Sequence, residues 1–137
     1  MNRPSLLILY GSETGCAQEV AERIAREGRR LLLKPRCMAM DDYDRSRLDQ
    51  EPLVVFVAAT TGQGQEPGNM KKFWKSLLRK SLPPNALSTL TFAVFGLGDS
   101  SYPKYNFPSK KLHKRLLQLG ASAIVPLGEG DDQHYLG

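Results

Sequence analysis

The sequence predicts one doubly wound α/β domain, a five-stranded parallel sheet in the order 2-1-3-4-5 with helices on both faces. Three observations carry that expectation. Apolar, strand-like runs alternate with helix-like segments along the chain. Three of those runs lead into loops rich in glycine and hydroxyl groups. The loop after the second run is acidic and holds no glycine.

The elements follow in order. The first strand is the apolar run 6–10. Residues 17–33 place Val20, Ile24 and Leu31 at helical spacing with arginines elsewhere, and Pro35 is expected to end that helix. A second strand spans 36–41, and the short polar stretch 44–50 suits one or two helical turns. After a third strand at 53–59, residues 69–79 carry Met70, Phe73, Trp74, Leu77 and Leu78 on one side of a helix. Pro83-Pro84-Asn85 marks a loop before the fourth strand, 91–97. The helix 106–119 carries Leu112, Leu116 and Leu119, and Gly120 supplies its stop. A fifth strand is expected over 122–127. The chain then stops at Gly130-Asp131-Asp132-Gln133-His134-Tyr135-Leu136-Gly137, where the last helix of such a fold would begin. Residues 1–137 are therefore expected to be the N-terminal domain of a longer protein, with that helix missing.

Composition narrows the function classes. With 137 residues the chain suits one domain and buries roughly two thirds of its unfolded surface. A hydrophobic fraction of 41% and a charged fraction of 24% are those of a soluble globular protein. No apolar run approaches the ~20 residues of a membrane span. Met1-Asn2-Arg3-Pro4-Ser5 lacks the apolar core of a signal peptide. The expectation is a cytoplasmic protein with no membrane partner. Cys16 and Cys37 are too few for a disulfide framework or a four-thiolate cluster. No catalytic dyad, nucleophile or metal site is expected. His113 reads as a helix-surface residue, and His134 lies in the terminal loop.

The strand order rests on the loops. Asp41-Asp42-Tyr43-Asp44 would repel a phosphate, whereas the loops after strands one, three and four suit a ligand. A 2-1-3-4-5 sheet places its switch point between strands one and three, beside those three loops.

The first loop, Gly11-Ser12-Glu13-Thr14-Gly15-Cys16-Ala17, has neither a Walker lysine nor a G-x-G-x-x-G pattern. What remains is Ser12, Thr14 and the free amides that open a helix, a compact nest suited to a terminal monophosphate. Taken alone, the loop equally suits a helix capped by Ser12 or Thr14. The second loop sets Gly62 and Gly64 beside Thr60 and Thr61, and glycine lets a flat ligand lie on the backbone. The third, Gly96-Leu97-Gly98-Asp99-Ser100-Ser101-Tyr102, ends in a tyrosine, with Tyr105 and Asn106 just beyond. Stacking that ring on an aromatic ligand contributes about 1 kcal/mol beyond burial. Convergence of the three loops points to flavin mononucleotide (FMN) and electron transfer.

Gly-Ser-x-Thr-Gly, Ala-Thr-Thr-Gly-Gln-Gly, Phe-Gly-Leu-Gly-Asp-Ser-Ser-Tyr and Leu-Gly-x-Gly-Asp-Asp, taken together, resemble the flavodoxin-like FMN domain of the diflavin reductases. Thr60-Thr61-Gly62-Gln63-Gly64 and Gly130-Asp131-Asp132-Gln133-His134 most resemble the cytosolic NADPH-dependent diflavin oxidoreductases. The resemblance implies that Ser12, Glu13, Thr14, Gly15, Cys16 and Ala17 wrap the phosphate. It implies that Ala59, Thr60, Thr61, Gly62 and Gly64 line one edge of the isoalloxazine, with the Gly62 carbonyl near N5. Leu97, Gly98, Asp99, Ser100, Ser101, Tyr102, Pro103, Lys104, Tyr105 and Asn106 form the opposite side, with Tyr102 stacked on the ring, and Asp132 closes the pocket.

Three residues depart from the pattern. Cytochrome P450 reductases carry an aromatic residue where Thr61 stands, so one flavin face lacks that stacking partner. Cys16 replaces a common threonine, and Glu13 a common glutamine.

The resemblance also implies FAD and NADPH in further C-terminal domains. It implies an acidic iron–sulfur acceptor resembling anamorsin, in cytosolic iron–sulfur cluster assembly. The formal charge of +5 agrees with an acidic partner. Lys71, Lys72, Lys75, Arg79 and Lys80 form one basic segment, and Lys110, Lys111, Lys114 and Arg115 another. Both helices also carry apolar faces and no nucleic-acid motif accompanies them, so no nucleic-acid partner is expected. The alternatives are a stand-alone flavodoxin or quinone-reductase-like flavoprotein, and an interaction domain that binds no flavin.

Overall fold

The computed structural model describes residues 5–12, 15–59, 67–98, 107–124 and 128–131. Strand β1 (Ser5–Gly11) pairs on one side with β2 (Lys34–Ala39) and on the other with β3 (Leu53–Ala59). β3 pairs in turn with β4 (Thr91–Gly98), and every pairing is parallel. The far edge is filled by β5 (Ser122–Ala123) and β6 (Gly128–Asp131), both against β4. The resulting order, β2-β1-β3-β4-β5, is the expected one, with its switch point between β1 and β3.

Successive strand residues point to opposite faces. One face presents Leu6, Ile8, Val55, Val57 and Ala93 to helix α1 (Cys16–Arg30). α1 meets it through Ala17, Ala21, Ala25 and Gly28, small residues that let the helix approach closely. The other face presents Leu7, Leu9, Val54, Phe56, Phe92 and Val94 to helices α2 (Lys71–Leu77) and α3 (Phe107–Gln118). Phe73, Leu77, Leu112 and Leu116 fill that layer. Among the described residues no helix is long and apolar enough to cross a membrane.

Several expectations change in the structure. α1 ends at Arg30, before Pro35: Leu32 adopts a left-handed φ of 65°, and the Leu33 amide closes onto the Gly28 carbonyl at 2.8 Å. Leu31 is consequently 72% exposed rather than on the apolar face. Pro35 lies inside β2, the edge strand, where a missing ladder donor is tolerated. Residues 45–50 form a 3-10 turn, and a second one, Gly68–Met70, precedes α2. Leu78 lies beyond the end of α2 and is 48% exposed. Gly120 does terminate α3, with φ 90°.

Of the strand expected over 122–127, Ser122–Ala123 form β5 and residues 125–127 lie outside the described residues, while Gly128–Asp131 pair farther along β4 as β6. Ala123 pairs with Phe92 and Gly128 with Phe95, so the edge advances five residues while β4 advances three. His113 is not a surface residue. Its ring packs edge-on against Phe92 at 5.4 Å, and its Nε2 is buried.

Candidate functional site

The register sets three loop origins side by side. Gly11 ends β1 opposite Ala58, and Ala59 ends β3 opposite Leu97. Neighbouring strands lie about 4.8 Å apart, so the three loops leave the sheet within roughly 10 Å of one another. Asp131 of β6 pairs with Gly98 at the same end. The second strand's loop stands outside this group, across β1.

The first loop is built around Ser12. Its hydroxyl oxygen accepts from the Gly15 amide at 2.9 Å and the Ala17 amide at 3.3 Å. Its own amide donates to Asn69 Oδ1 at 2.7 Å. Gly15 is the N-cap of α1 in the left-handed region, with φ 88° and ψ −6°. Among the described residues, leaving out its two chain neighbours, no atom lies within 4 Å of the point where a Cβ at Gly15 would stand. A left-handed residue running into a right-handed helix turns consecutive amides toward one point, which is an anion nest. That point also lies on the positive end of the helix dipole. Two amides and a hydroxyl beside Gly15 make a donor set whose chemistry fits a monophosphate.

The two sequence readings of this loop therefore meet in one geometry. Ser12 does cap the helix, across the loop rather than from the N-cap position, and in doing so gathers the amides an anion would use. Cys16 is exposed as the first residue of α1, whereas Ala17 is fully buried against the sheet. Ala59 and Leu97 are partly buried against the α1-side core, and Gly98 ends β4. Glu13, Thr14, Thr60, Thr61, Gly62, Gly64, Asp99, Ser100, Ser101, Tyr102, Pro103, Lys104, Tyr105, Asn106 and Asp132 lie outside the described residues.

Sequence reasoning missed Asn69 and the need for glycine at position 11. A Cβ on Gly11 would lie 2.6 Å from the Met70 sulfur and 2.9 Å from its Cβ, and Met70 is fully buried. Gly11 is thus required so that the turn before α2 can press on the end of β1. An asparagine just ahead of an amphipathic run was the available signal, but no local pattern pairs positions 12 and 69.

The acidic loop has a structural role of its own. Asp41 accepts from the Phe73 amide at 2.7 Å and the Lys72 amide at 3.3 Å, capping α2 from a neighbouring element. Asp44 accepts from the Ser46 hydroxyl and amide, and these bonds hold its pKa below the ordinary value. Burial, then the hydrogen bond donated to Glu51 at 2.6 Å, holds the Tyr43 pKa well above its usual range. Arg36 completes that group by pairing with Glu51 at 2.5 Å.

Known proteins match this architecture. A Danio rerio protein named NADPH-dependent diflavin oxidoreductase 1 is 60% identical over 137 residues, all of this chain. Proteins of the same name from Mus musculus and Arabidopsis thaliana are 59% and 51% identical, over 100% and 96% of the chain. The chain spans only 23% of the Danio rerio and Mus musculus relatives and 21% of the Arabidopsis thaliana one. Among solved structures, the C101S mutant of flavodoxin from Pseudomonas aeruginosa superposes with a TM-score of 0.81 at 26% identity. That match covers 94% of this chain and 85% of the flavodoxin. Oxidised flavodoxin 1 from Bacillus cereus gives 0.79 at 25% identity, covering 96% and 90% of the two chains. The flavodoxin family model matches residues 8–136, nearly the whole fold from the middle of β1 onward, and the chain belongs to that family.

Proposed function

We propose that this chain binds FMN and serves as the electron-relay domain of an NADPH-dependent diflavin oxidoreductase. The observation that carries the reading is the amide nest of Ser12, Gly15 and Ala17, set at the switch point beside the ends of β3 and β4. The diflavin names of the relatives support the larger assignment.

Ser12, Glu13, Thr14, Gly15, Cys16 and Ala17 would hold the phosphate, with the Gly15 and Ala17 amides turned from the Ser12 hydroxyl to phosphate oxygens. Ala59, Thr60, Thr61, Gly62 and Gly64 would line one edge of the ring system. Leu97, Gly98, Asp99 and Tyr102 would line the other, with Ser100, Ser101, Pro103, Lys104, Tyr105 and Asn106 around them and Asp132 closing the pocket. Bound FMN supplies redox chemistry in both two-electron and one-electron steps, and the protein orients it and sets its potentials. No side chain in this reading acts as acid, base or nucleophile. FAD and NADPH belong to the remaining domains of such an enzyme, which feed this one. The acceptor is an acidic iron–sulfur protein of the anamorsin kind, in cytosolic iron–sulfur cluster assembly, and the place of action is the cytoplasm.

Titrating the purified protein with FMN, then reducing it anaerobically in steps, tests the relay. Stoichiometric binding and reduction in two one-electron stages are expected. Cys16, exposed beside the nest, provides a second readout: its alkylation should slow several-fold when FMN is bound. A folded protein that binds no FMN and alkylates at one rate would leave the flavin-free interaction domain as the reading.

A further inference from the structure

The flank of α2 carries a feature that the loop site does not use. Two adjoining cavities, of about 440 Å³ and 490 Å³, run between α2 and the turns that follow β2. They share Asp41, Lys72, Ser76 and Arg79 along their common wall. The first also takes in Arg45, and the second Lys71 and Lys75. Helical spacing sets positions 72, 75 and 76 on one side of α2, and Arg79 follows just beyond its end.

Five cations therefore line one trough, and none of them has an ion-pair partner among the described residues. Asp41, Asp42 and Asp44 also line the first cavity, which leaves the cations in excess, and two of these carboxylates are hydrogen-bonded within the protein. Asp41 caps the α2 amides, and Asp44 is held by Ser46. The Arg45 Nε is buried with no hydrogen-bond partner among the described residues. A buried guanidinium donor without an acceptor is unfavourable, and a carboxylate is the acceptor its planar fork fits best. The two basic segments of the sequence do not contribute equally. Arg115 donates to the Leu77 carbonyl at 2.7 Å, and Lys111 lies 5.7 Å over the Trp74 ring, so these two brace α3 on α2.

We propose that the α2 trough is a docking site for an acidic peptide segment of a partner protein, with glutamate or aspartate side chains reaching Arg45, Lys72 and Arg79. The trough begins at Asp41 and Lys71, next to Asn69, which bonds Ser12 of the nest, so a segment held there lies at the cofactor end of the sheet. Only the partner's role as electron acceptor rests on the relay reading.

Binding of an oligo-glutamate peptide carrying a far-red label to the FMN-supplemented protein, followed by anisotropy at low and raised salt, tests the proposal. Lys72→Glu with Arg79→Glu should weaken binding about tenfold or more. Arg23→Glu with Arg26→Glu makes the same charge change on α1, across the sheet, and should alter binding less than about twofold. Both pairs are exposed, so their folds should match the native one by circular dichroism. No binding by the native protein, or equal weakening by the two variants, would overturn the trough as the site. Tighter binding of a single-stranded oligonucleotide, lost with Lys72→Glu and Arg79→Glu, would assign the trough to nucleic acid instead. Flavin fluorescence, read in the same samples, reports FMN binding separately. Peptide binding without FMN binding would sink the relay reading and leave the docking site standing.

Discussion

Leu32 holds the left-handed conformation at the end of α1, with φ 65°, where helices usually place glycine. A side chain in that region costs roughly 1–2 kcal/mol. Leu32 is also 64% exposed, so little burial compensates. Leu32→Gly should therefore stabilise the protein by about 0.5–1 kcal/mol, after allowing for the greater freedom of glycine in the unfolded chain. Urea denaturation of the two proteins checks this, and a lower midpoint for the variant would contradict it. Nothing in Leu31-Leu32-Leu33 announces the turn, and Pro35 two residues later was the stronger stop signal in the sequence. Ser12 was more legible, because a hydroxyl between two glycines at a strand-to-helix turn has few uses. Its contacts to Gly15 and Ala17 follow from local spacing, whereas the bond from its amide to Asn69 does not.

α2 spans only Lys71–Leu77 and would not persist as an isolated helix. Phe73 and Leu77 tie it to the sheet, and Asp41 satisfies two of its free amides from the turn after β2. Asp41→Ala should lower stability by about 1 kcal/mol, the usual effect of losing a cap, and should fray α2 first. Hydrogen exchange at Lys72 and Phe73 reads this directly, and unchanged protection there would remove the cap from the argument. The acidic stretch 41–44 reads from sequence as a loop that repels phosphate. Its stronger reason is capping, which depends on α2 arriving beside it from a distant part of the chain. The fifth strand begins at Ser122 as expected, but strand propensity says nothing about how many residues the edge must spend against β4 before Gly128 pairs with Phe95.

At the scale of the whole molecule, the ends of β1, β3 and β4 lie side by side because a 2-1-3-4-5 order makes these strands neighbours. A ligand bound across them would tie separate parts of the sheet together. At a free FMN concentration one hundred times its dissociation constant, unfolding should therefore be harder by about 2.7 kcal/mol. Thermal unfolding should shift upward by several degrees, and riboflavin, which lacks the phosphate, should give a smaller shift. Equal shifts for the two ligands would argue against the Ser12–Gly15–Ala17 nest as the phosphate site. The alternation of strand and helix and the switch point were determined by the sequence, because each depends on local spacing and on the handedness that a parallel sheet imposes. Tertiary structure alone decided that Asn69 reaches Ser12, that Met70 demands glycine at position 11 and that α2 and the turns after β2 enclose a cationic trough. Those are contacts between segments far apart in the chain, and their geometry is set by how the layers pack rather than by any pattern within one segment.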